Sequence, residues 1–266
     1  VGELEGRLGV RLLQRTTRKV GLTPAGEDLL ERAPALLAEL DDVLAEAASG
    51  SRGVSGVIRV SAPVTFGEVY VAGMLGRFGL HHPDLVIDLR LTDKFADLAK
   101  DGIDLAFRIG TLETLSLKSR KIGTIEVIAA ASDAYLDAHG MPQKPFDLEE
   151  HNCIIDTNRR TPNRWSFSDK GVDHSISITG RHMVNSARAA CELAVADHGI
   201  VYGPRFALSH ALREKRLTRI LKGFSGEEIP ISAVFLEGKV VPRKIRTLIE
   251  FAKADFLASE CAAVQD

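Results

Sequence analysis

Strand-like and helix-like segments alternate through most of this 266-residue chain, and the pattern occurs twice in succession. Such alternation favours an α/β fold with parallel strands. In the first round we predict strands over 57–62, 85–91 and 103–109 and helices over 67–78 and 95–102. In the second round we predict strands over 153–156, 175–180, 199–203 and 217–221 and helices over 186–197, 205–214 and 242–258. The sequence therefore predicts two similar α/β lobes in series.

Two further strand-like segments mark where the chain passes between these lobes. They are TIEVIAAAS (124–132) and ISAVFL (231–236). We expect the chain to cross near 124–132 and to return near 229–236. Lobe I then takes about 57–128 and 234–260, and lobe II takes about 129–233.

A long helix is predicted ahead of the lobes, starting with Thr23 as N-cap and Pro24 at the first helical position. Its apolar residues recur at heptad spacing, which favours pairing with the same helix of another subunit. The predicted dimerisation residues are Leu29, Leu36, Leu40 and Val43. An amphipathic helix packed on its own domain is the alternative. Pro34 lies inside the pattern and should bend the helix.

Charge is distributed unevenly along the chain. The net charge of −2 gives no bulk attraction to nucleic acid. Residues 1–20, however, carry five cationic side chains against two carboxylates, and residues 21–55 carry seven carboxylates against two arginines. SGSRGVSG (49–56) follows and predicts a flexible linker at a domain boundary.

Several classes of protein are disfavoured by what the sequence does not contain. Cys153, Cys191 and Cys261 form no CxxC pair, which argues against a zinc site or a redox pair. Their odd number argues against a secreted disulfide scaffold and indicates a reducing compartment. No apolar run is long enough to span a bilayer, and no signal peptide is visible. The eight histidines show no ligand spacing, and no nucleophile elbow is present. We therefore expect no catalytic residues, metal or cofactor, and no enzyme activity.

A basic turn, QRTTRKV (14–20), combines cationic and hydroxyl side chains that suit phosphate contacts. The candidate DNA-binding residues are Arg15, Thr16, Thr17, Arg18 and Lys19. A solvated basic turn without a partner is the alternative.

Two predicted strand-to-helix junctions, SAPVTFG (61–67) and MVNSARAA (183–190), offer helix N-termini that attract anions. If both face one cleft, they would hold a small carboxylate. Arg108 is placed near that cleft at the end of a strand, with Asp156 and Thr157 as weaker candidates. Ordinary helix caps are the alternative interpretation of these junctions.

The segments LEGRLGVRLLQRTTRKVGLTPAGEDLL (4–30), DGIDLAFRIG (101–110), AASDAYLDAHGMPQKPFDLEEH (130–151) and LAVADHGIVYGPRF (193–206) carry a family resemblance. Through them, nearly the whole chain resembles the LysR-type transcriptional regulators. The resemblance implies an α/β fold class: a partial winged helix-turn-helix and a long linker helix, followed by a two-lobed periplasmic-binding-protein-like α/β effector domain. In these terms residues 1–22 are the remnant of the DNA-binding domain, 23–49 the linker and dimerisation helix, 50–56 the hinge and 57–266 the effector-binding domain.

The resemblance also implies that the first two helices and most of the recognition helix precede Val1, with the wing over 13–22. The implied function is ligand-responsive regulation in the cytoplasm, without membrane contact. The implied partners are promoter DNA for the full-length form, a small organic effector (a carboxylate) and further copies in a homodimer or homotetramer, with RNA polymerase as a further candidate. The implied effector-binding residues are Pro63, Val64, Thr65, Phe66, Arg108, Asp156, Thr157, Asn185, Ser186 and Pro204.

Two other functions stay open at this point. A solute-binding protein of the transport class would share the two lobes, but it needs neither a basic wing nor a heptad helix. An enzyme on the same scaffold is not excluded by fold alone, although no catalytic set supports it. Gly203 before Pro204 departs from the family pattern, as does Pro34 inside the linker helix.

Overall fold

The computed structural model describes residues 1–15, 20–30, 33, 37, 40, 54–94, 98–111, 117–236 and 241–259. The predictions for Thr16, Thr17, Arg18, Lys19, Pro34, Leu36 and Val43 lie outside the described residues.

The chain begins with a short helix and a β-hairpin. Helix α1 (Gly2–Leu8) ends at Gly9, whose φ of 70° is left-handed. Strands β1 (Leu13–Arg15) and β2 (Val20–Leu22) pair antiparallel, as a wing does. The Glu5 carboxylate accepts hydrogen bonds from the N–H groups of Leu12 (2.7 Å) and Leu13 (3.0 Å), which ties the helix to the hairpin.

Helix α2 (24–30) begins where the sequence predicts it. The Thr23 hydroxyl accepts from the Gly26 N–H at 3.1 Å, which confirms Thr23 as the cap. The chain is also helical at 33, 37 and 40. Leu30, Leu37 and Leu40 are 61, 59 and 51% exposed, so the apolar stripe leaves large aliphatic side chains on the surface of a single chain.

The two lobes share one nine-stranded sheet and carry a small three-stranded sheet beside it. The strands of the large sheet are β3 (Gly56–Ala62), β4 (Leu85–Leu91), β5 (Leu105–Ile109), β6 (Leu117–Ala131), β7 (Cys153–Asp156), β10 (His182–Val184), β11 (Ile200–Pro204), β12 (Thr218–Arg219) and β14 (Glu228–Leu236). The small sheet contains β8 (Arg164–Asp169), β9 (Val172–Ser177) and β13 (Ser225–Gly226).

The strand order of the large sheet is β10-β7-β11-β6-β14-β5-β3-β4, with β12 beside β6. Strand β3 is parallel to β4 and β5, and β7 is parallel to β10 and β11. Strands β6 and β14 are antiparallel to each other and to their outer neighbours. Two parallel halves are thus joined by one antiparallel pair, which confirms the predicted crossing and return.

Helices cover these parallel halves. They are α3 (64–80), α4 (Asp133–His139), α5 (Ala187–Val195), α6 (Arg205–Arg213) and α7 (Arg243–Leu257), with a 3₁₀ segment over Pro145–Glu150. Within α3 a π-helical turn, Gly67–Val71, separates the first three residues from Ala72–Leu80.

Each lobe has its own apolar core. In the first lobe the aromatic rings of Phe66, Tyr70 and Phe256 pack in series under α3 and α7. Gly123 of β6 lets α7 approach, because a Cβ there would meet the Phe256 ring at 2.3 Å. In the second lobe Trp165 packs against Tyr202 beneath the small sheet.

The predicted elements agree with most of this fold. Strands 85–91 and 153–156 are confirmed residue for residue. The predicted helix over 95–102 is wrong in its described part, since residues 98–102 form turns that end at Gly102 with a φ of 62°. Among the described helices, none is long and apolar enough to cross a membrane.

Candidate functional site

A cleft of about 870 Å³ lies between the two lobes. It opens at the carboxyl ends of the parallel strands β3, β5 and β7, which is where α/β sheets place ligands. Six of the ten predicted effector residues line it: Pro63, Thr65, Phe66, Arg108, Asp156 and Pro204. Residues that the sequence predicts at the ends of different strands therefore lie together in one cleft.

The helix start at the first-lobe side of the cleft already holds a carboxylate. Pro63 is the N-cap of α3, and the first free N–H, that of Val64, donates to Asp93 Oδ1 at 3.0 Å. The predicted anion seat at this helix is therefore partly filled by the protein itself. Asp93, which the sequence analysis did not select, also lines the cleft.

Arg108 is the buried cation of the cleft. Only 7% of the residue is exposed. Its guanidinium donates to the carbonyl of Phe107 at 2.9 Å and to the hydroxyl of Ser61 at 3.3 Å. Desolvation lowers the pKa of this guanidinium, and the charge of Asp93 opposes that change. Among the described residues, no carboxylate forms an ion pair with Arg108.

Asp156 is the buried anion on the opposite lobe. It ends β7, is 8% exposed and accepts the backbone N–H of Asn158 at 3.0 Å. Burial raises the pKa of the Asp156 carboxyl, and repulsion from Asp93 acts in the same direction. The cleft thus sets a buried cation in one lobe and a buried carboxylate in the other.

Arg159 is a second arginine of the cleft, and its guanidinium group already has partners within the protein. Arg159 pairs with Glu227 at 2.6 Å, and its guanidinium lies 4.8 Å from the centre of the Tyr202 ring. Its Nε is buried without a hydrogen-bond partner among the described residues. The Tyr202 hydroxyl also accepts the Glu227 N–H at 2.9 Å, so Arg159, Glu227 and Tyr202 form one connected cluster in the second lobe.

Four predicted effector residues do not line the cleft. The Ser186 hydroxyl accepts the Ala189 N–H at 3.3 Å as an ordinary cap of α5, and Thr157 donates to the Val184 carbonyl at 3.1 Å. The carbonyl of Asn185 accepts from Asn158 at 2.6 Å, and Val64 contributes its backbone as described above. The hydroxyl groups of Ser186 and Thr157 therefore complete local turns, and for Asn185 and Val64 the contacts are made by the backbone.

The residues that the sequence analysis missed come from loops. They include Asp93, Asn158, Arg159, Arg160 and Glu227. One signal was available, because NRR (158–160) begins two residues after Asp156, the end of a buried strand. Nothing in the local sequence indicates that Glu227 would meet Arg159 from 68 residues away.

The other predicted functional residues are placed only in part. Arg15 ends strand β1, while the rest of the basic turn lies outside the described residues. Leu29 is half-buried on α2, and Leu40 is helical and exposed. Among the described residues, no group of three His, Cys, Asp or Glu side chains could hold a metal ion.

Comparison with known proteins gives a consistent picture. The profile of the LysR substrate binding domain matches residues 51–257. An uncharacterized HTH-type transcriptional regulator of Haemophilus influenzae is 36% identical over 245 residues, covering 92% of this chain and 85% of that protein. The HTH-type transcriptional activator AaeR of Escherichia coli is 28% identical over 249 residues, covering 94% and 81%.

Solved structures show the same architecture. CrgA, a LysR-type transcriptional regulator from Neisseria meningitidis, matches with a TM-score of 0.68 and 27% identity, covering 96% of this chain and 87% of that one. The Vibrio cholerae virulence activator AphB matches with a TM-score of 0.66 and 29% identity, covering 95% and 87%.

Proposed function

The chain belongs to the LysR-type transcriptional regulators, and on that premise we propose that its inter-lobe cleft binds a small organic molecule with an anionic group and thereby alters promoter binding. The observation that carries this proposal is Arg108, a buried guanidinium at the wall of an open cleft. Burial of this charge is unfavourable, and among the described residues Asp93 offsets it without a direct ion pair. A ligand carboxylate would supply direct charge-assisted hydrogen bonds.

The effect on DNA follows from the position of the ligand between the lobes. A molecule that touches both lobes favours the closed arrangement to the extent that it binds that arrangement more tightly. The linker helix then passes the change to the DNA-binding segment, where the basic turn contacts phosphates. Such a regulator acts on promoter DNA in the cytoplasm, with RNA polymerase as a further partner.

Assembly is part of the same proposal. Leu30 lies on α2, Leu37 and Leu40 are each helical, and all three are exposed, so a second copy of this segment would cover them. We therefore expect a homodimer through this helix, and a homotetramer if the effector domains also pair. A transport function receives no support from the relatives, which are named as transcriptional regulators.

The test is a thermal-shift screen of the whole 266-residue chain with small organic acids, followed by calorimetry with the acid that binds best. Arg108→Met should weaken that acid by about 1.5–3 kcal/mol, the usual contribution of a hydrogen bond to a charged group. Arg164→Met, at an exposed arginine of β8 outside the cleft, is the matched control. Equal affinity of parent and Arg108→Met would contradict the proposed site.

A further inference from the structure

We propose that the cleft ligand is zwitterionic, with a carboxylate held by Arg108 and a protonated amine held between Asp93 and Asp156. This inference rests on the proposed function, because it names the class of molecule that the same cleft accepts. It is carried by the opposite charges that the two lobes present to one space.

The first lobe provides the seat for the carboxylate. Arg108 has five N–H donors, and the bonds to Phe107 and Ser61 use two of them. The side chain comes from the end of β5 and lines the cleft. A carboxylate is the group that matches the remaining donors in shape and charge.

The seat for a cation lies between Asp156 of the second lobe and Asp93 of the first lobe. Asp156 receives one neutral hydrogen bond, from the Asn158 N–H, and is otherwise buried at the cleft wall. The nearby cation Arg159 is paired with Glu227, and its charge lowers the pKa of Asp156 without overcoming the effect of burial. Asp93 is close enough for its charge to act on both Arg108 and Asp156. Two carboxylates that face one space repel each other, and a protonated amine between them removes that repulsion.

The overall charge of the lining also favours a neutral ligand with separated charges. The charged residues that line the cleft are Asp93, Asp156, Glu227 and Glu228 on the acidic side and Arg108, Arg159 and Arg160 on the basic side. A simple acid satisfies Arg108 but brings negative charge to a lining in which carboxylates already outnumber arginines. A zwitterion satisfies both seats and adds no net charge.

The experiment compares three matched series of probes by calorimetry on the whole chain. The first contains straight-chain amino acids from glycine to aminocaproate, with the amine at the α or the terminal carbon. The second contains the alkanoates of equal carbon number, and the third contains the corresponding alkylamines. The range of lengths is needed because the span between the two seats selects one chain length.

We expect at least one amino acid to bind about tenfold or more tightly than its matched alkanoate, a difference of about 1.4 kcal/mol. Asp156→Asn should remove that preference, because the charge that attracts the amine is lost while the amide oxygen can still accept the Asn158 N–H. The alkanoate affinity should rise or stay level, since one repelling carboxylate is removed. Arg108→Met should weaken amino acids and alkanoates alike. Asp173→Asn, at an exposed aspartate of β9, is the control and should change neither affinity.

If Asp156→Asn does not fold, Asp93→Asn serves the same purpose, because its amide oxygen can keep the bond from Val64. Alkanoates that bind as tightly as amino acids, with no effect of either variant, would overturn the inference and leave the proposed function standing. Failure of every amino acid to bind would also overturn it. The acid screen with Arg108→Met decides the proposed function separately.

Discussion

Arg188 of α5 and Glu68 of α3 form an ion pair of 3.4 Å that joins the second lobe to the first. Both helices start beside the cleft, so the pair lies where the lobes approach each other. The two side chains are largely exposed, and a pair of this kind contributes little to folding, about 1 kcal/mol or less. Its importance lies in which arrangement of the lobes it favours.

We predict that Arg188→Ala weakens ligand binding by no more than about fivefold, because only a screened surface contact is lost. The loss should shrink at high salt, where the pair is already weak. Titration calorimetry at low and high salt checks this. The exchanged double variant Glu68→Arg with Arg188→Glu should recover most of the affinity, and a failure to recover would show that the side chains act through other contacts.

Ser186→Ala should lower the free energy of unfolding by about 1 kcal/mol, since it removes the cap of α5. Ligand affinity should stay within about twofold of the parent, which corresponds to less than about 0.5 kcal/mol. Denaturant unfolding and calorimetry measure the two quantities. A large loss of affinity with unchanged stability would restore Ser186 as an effector contact.

The hydrogen bonds that Asp255 of α7 accepts from Arg77 and Tyr70 of α3, here called the clamp, lead to a prediction on how stability depends on pH. The Asp255 carboxylate receives hydrogen bonds from Arg77 at 2.7 and 2.8 Å and from the Tyr70 hydroxyl at 2.9 Å. The Arg77 bonds in the first place, and the Tyr70 bond in addition, hold the pKa of Asp255 below its ordinary value. The stabilisation is therefore present above the pKa of the unfolded chain, near 4, and is lost as pH falls through the lower folded value.

Asp255→Asn should accordingly cost about 1–2 kcal/mol near neutral pH and flatten the acid side of the stability curve below about pH 4. The lower part of that range is expected because Arg77 is half exposed. Urea unfolding across acid pH checks the result, with Asp173→Asn as control. A curve of unchanged slope would mean that the clamp is not formed in solution.

Leu40→Asp should convert the assembly to smaller species, because a carboxylate in a paired apolar seam costs several kcal/mol when it is buried without a partner. Sedimentation velocity over a range of protein concentrations measures this. Asp28→Asn, on α2, changes charge without entering the stripe and is the control. An unchanged sedimentation coefficient for Leu40→Asp would place dimerisation elsewhere.

The sequence was sufficient to predict the strands whose residues are strongly apolar, such as 85–91 and 153–156. The outer half of β6 was missed because its residues Lys118, Ser119, Arg120 and Lys121 are polar, and pairing with β14 holds them in the sheet. Strand β10 was missed for a related reason, since three residues at a sheet edge have too little pattern to detect.

Candidate site residues at strand ends could also be predicted, since topology fixes where such ends meet. Pro63, Arg108 and Asp156 are examples. The side-chain roles could not, because Ser186 and Thr157 face local backbone acceptors and donors that only the folded turn creates. The contact of Arg159 with Glu227 depends on a loop meeting the start of β14 across the lobe.

The two long strands shared by both lobes limit how this sensor can move. Strands β6 and β14 stay hydrogen-bonded from Glu126 opposite Glu228 to Leu117 opposite Leu236, with one register shift at Ile231 and Ser232. Neighbouring strands of a sheet are twisted against each other, and the twist angle varies over a wide range. Ligand closure is therefore expected to turn one lobe against the other about the axis of these two strands. Ligand binding would then reach the linker helix as a rotation of one lobe through a small angle, and not as a wide hinge motion between the lobes.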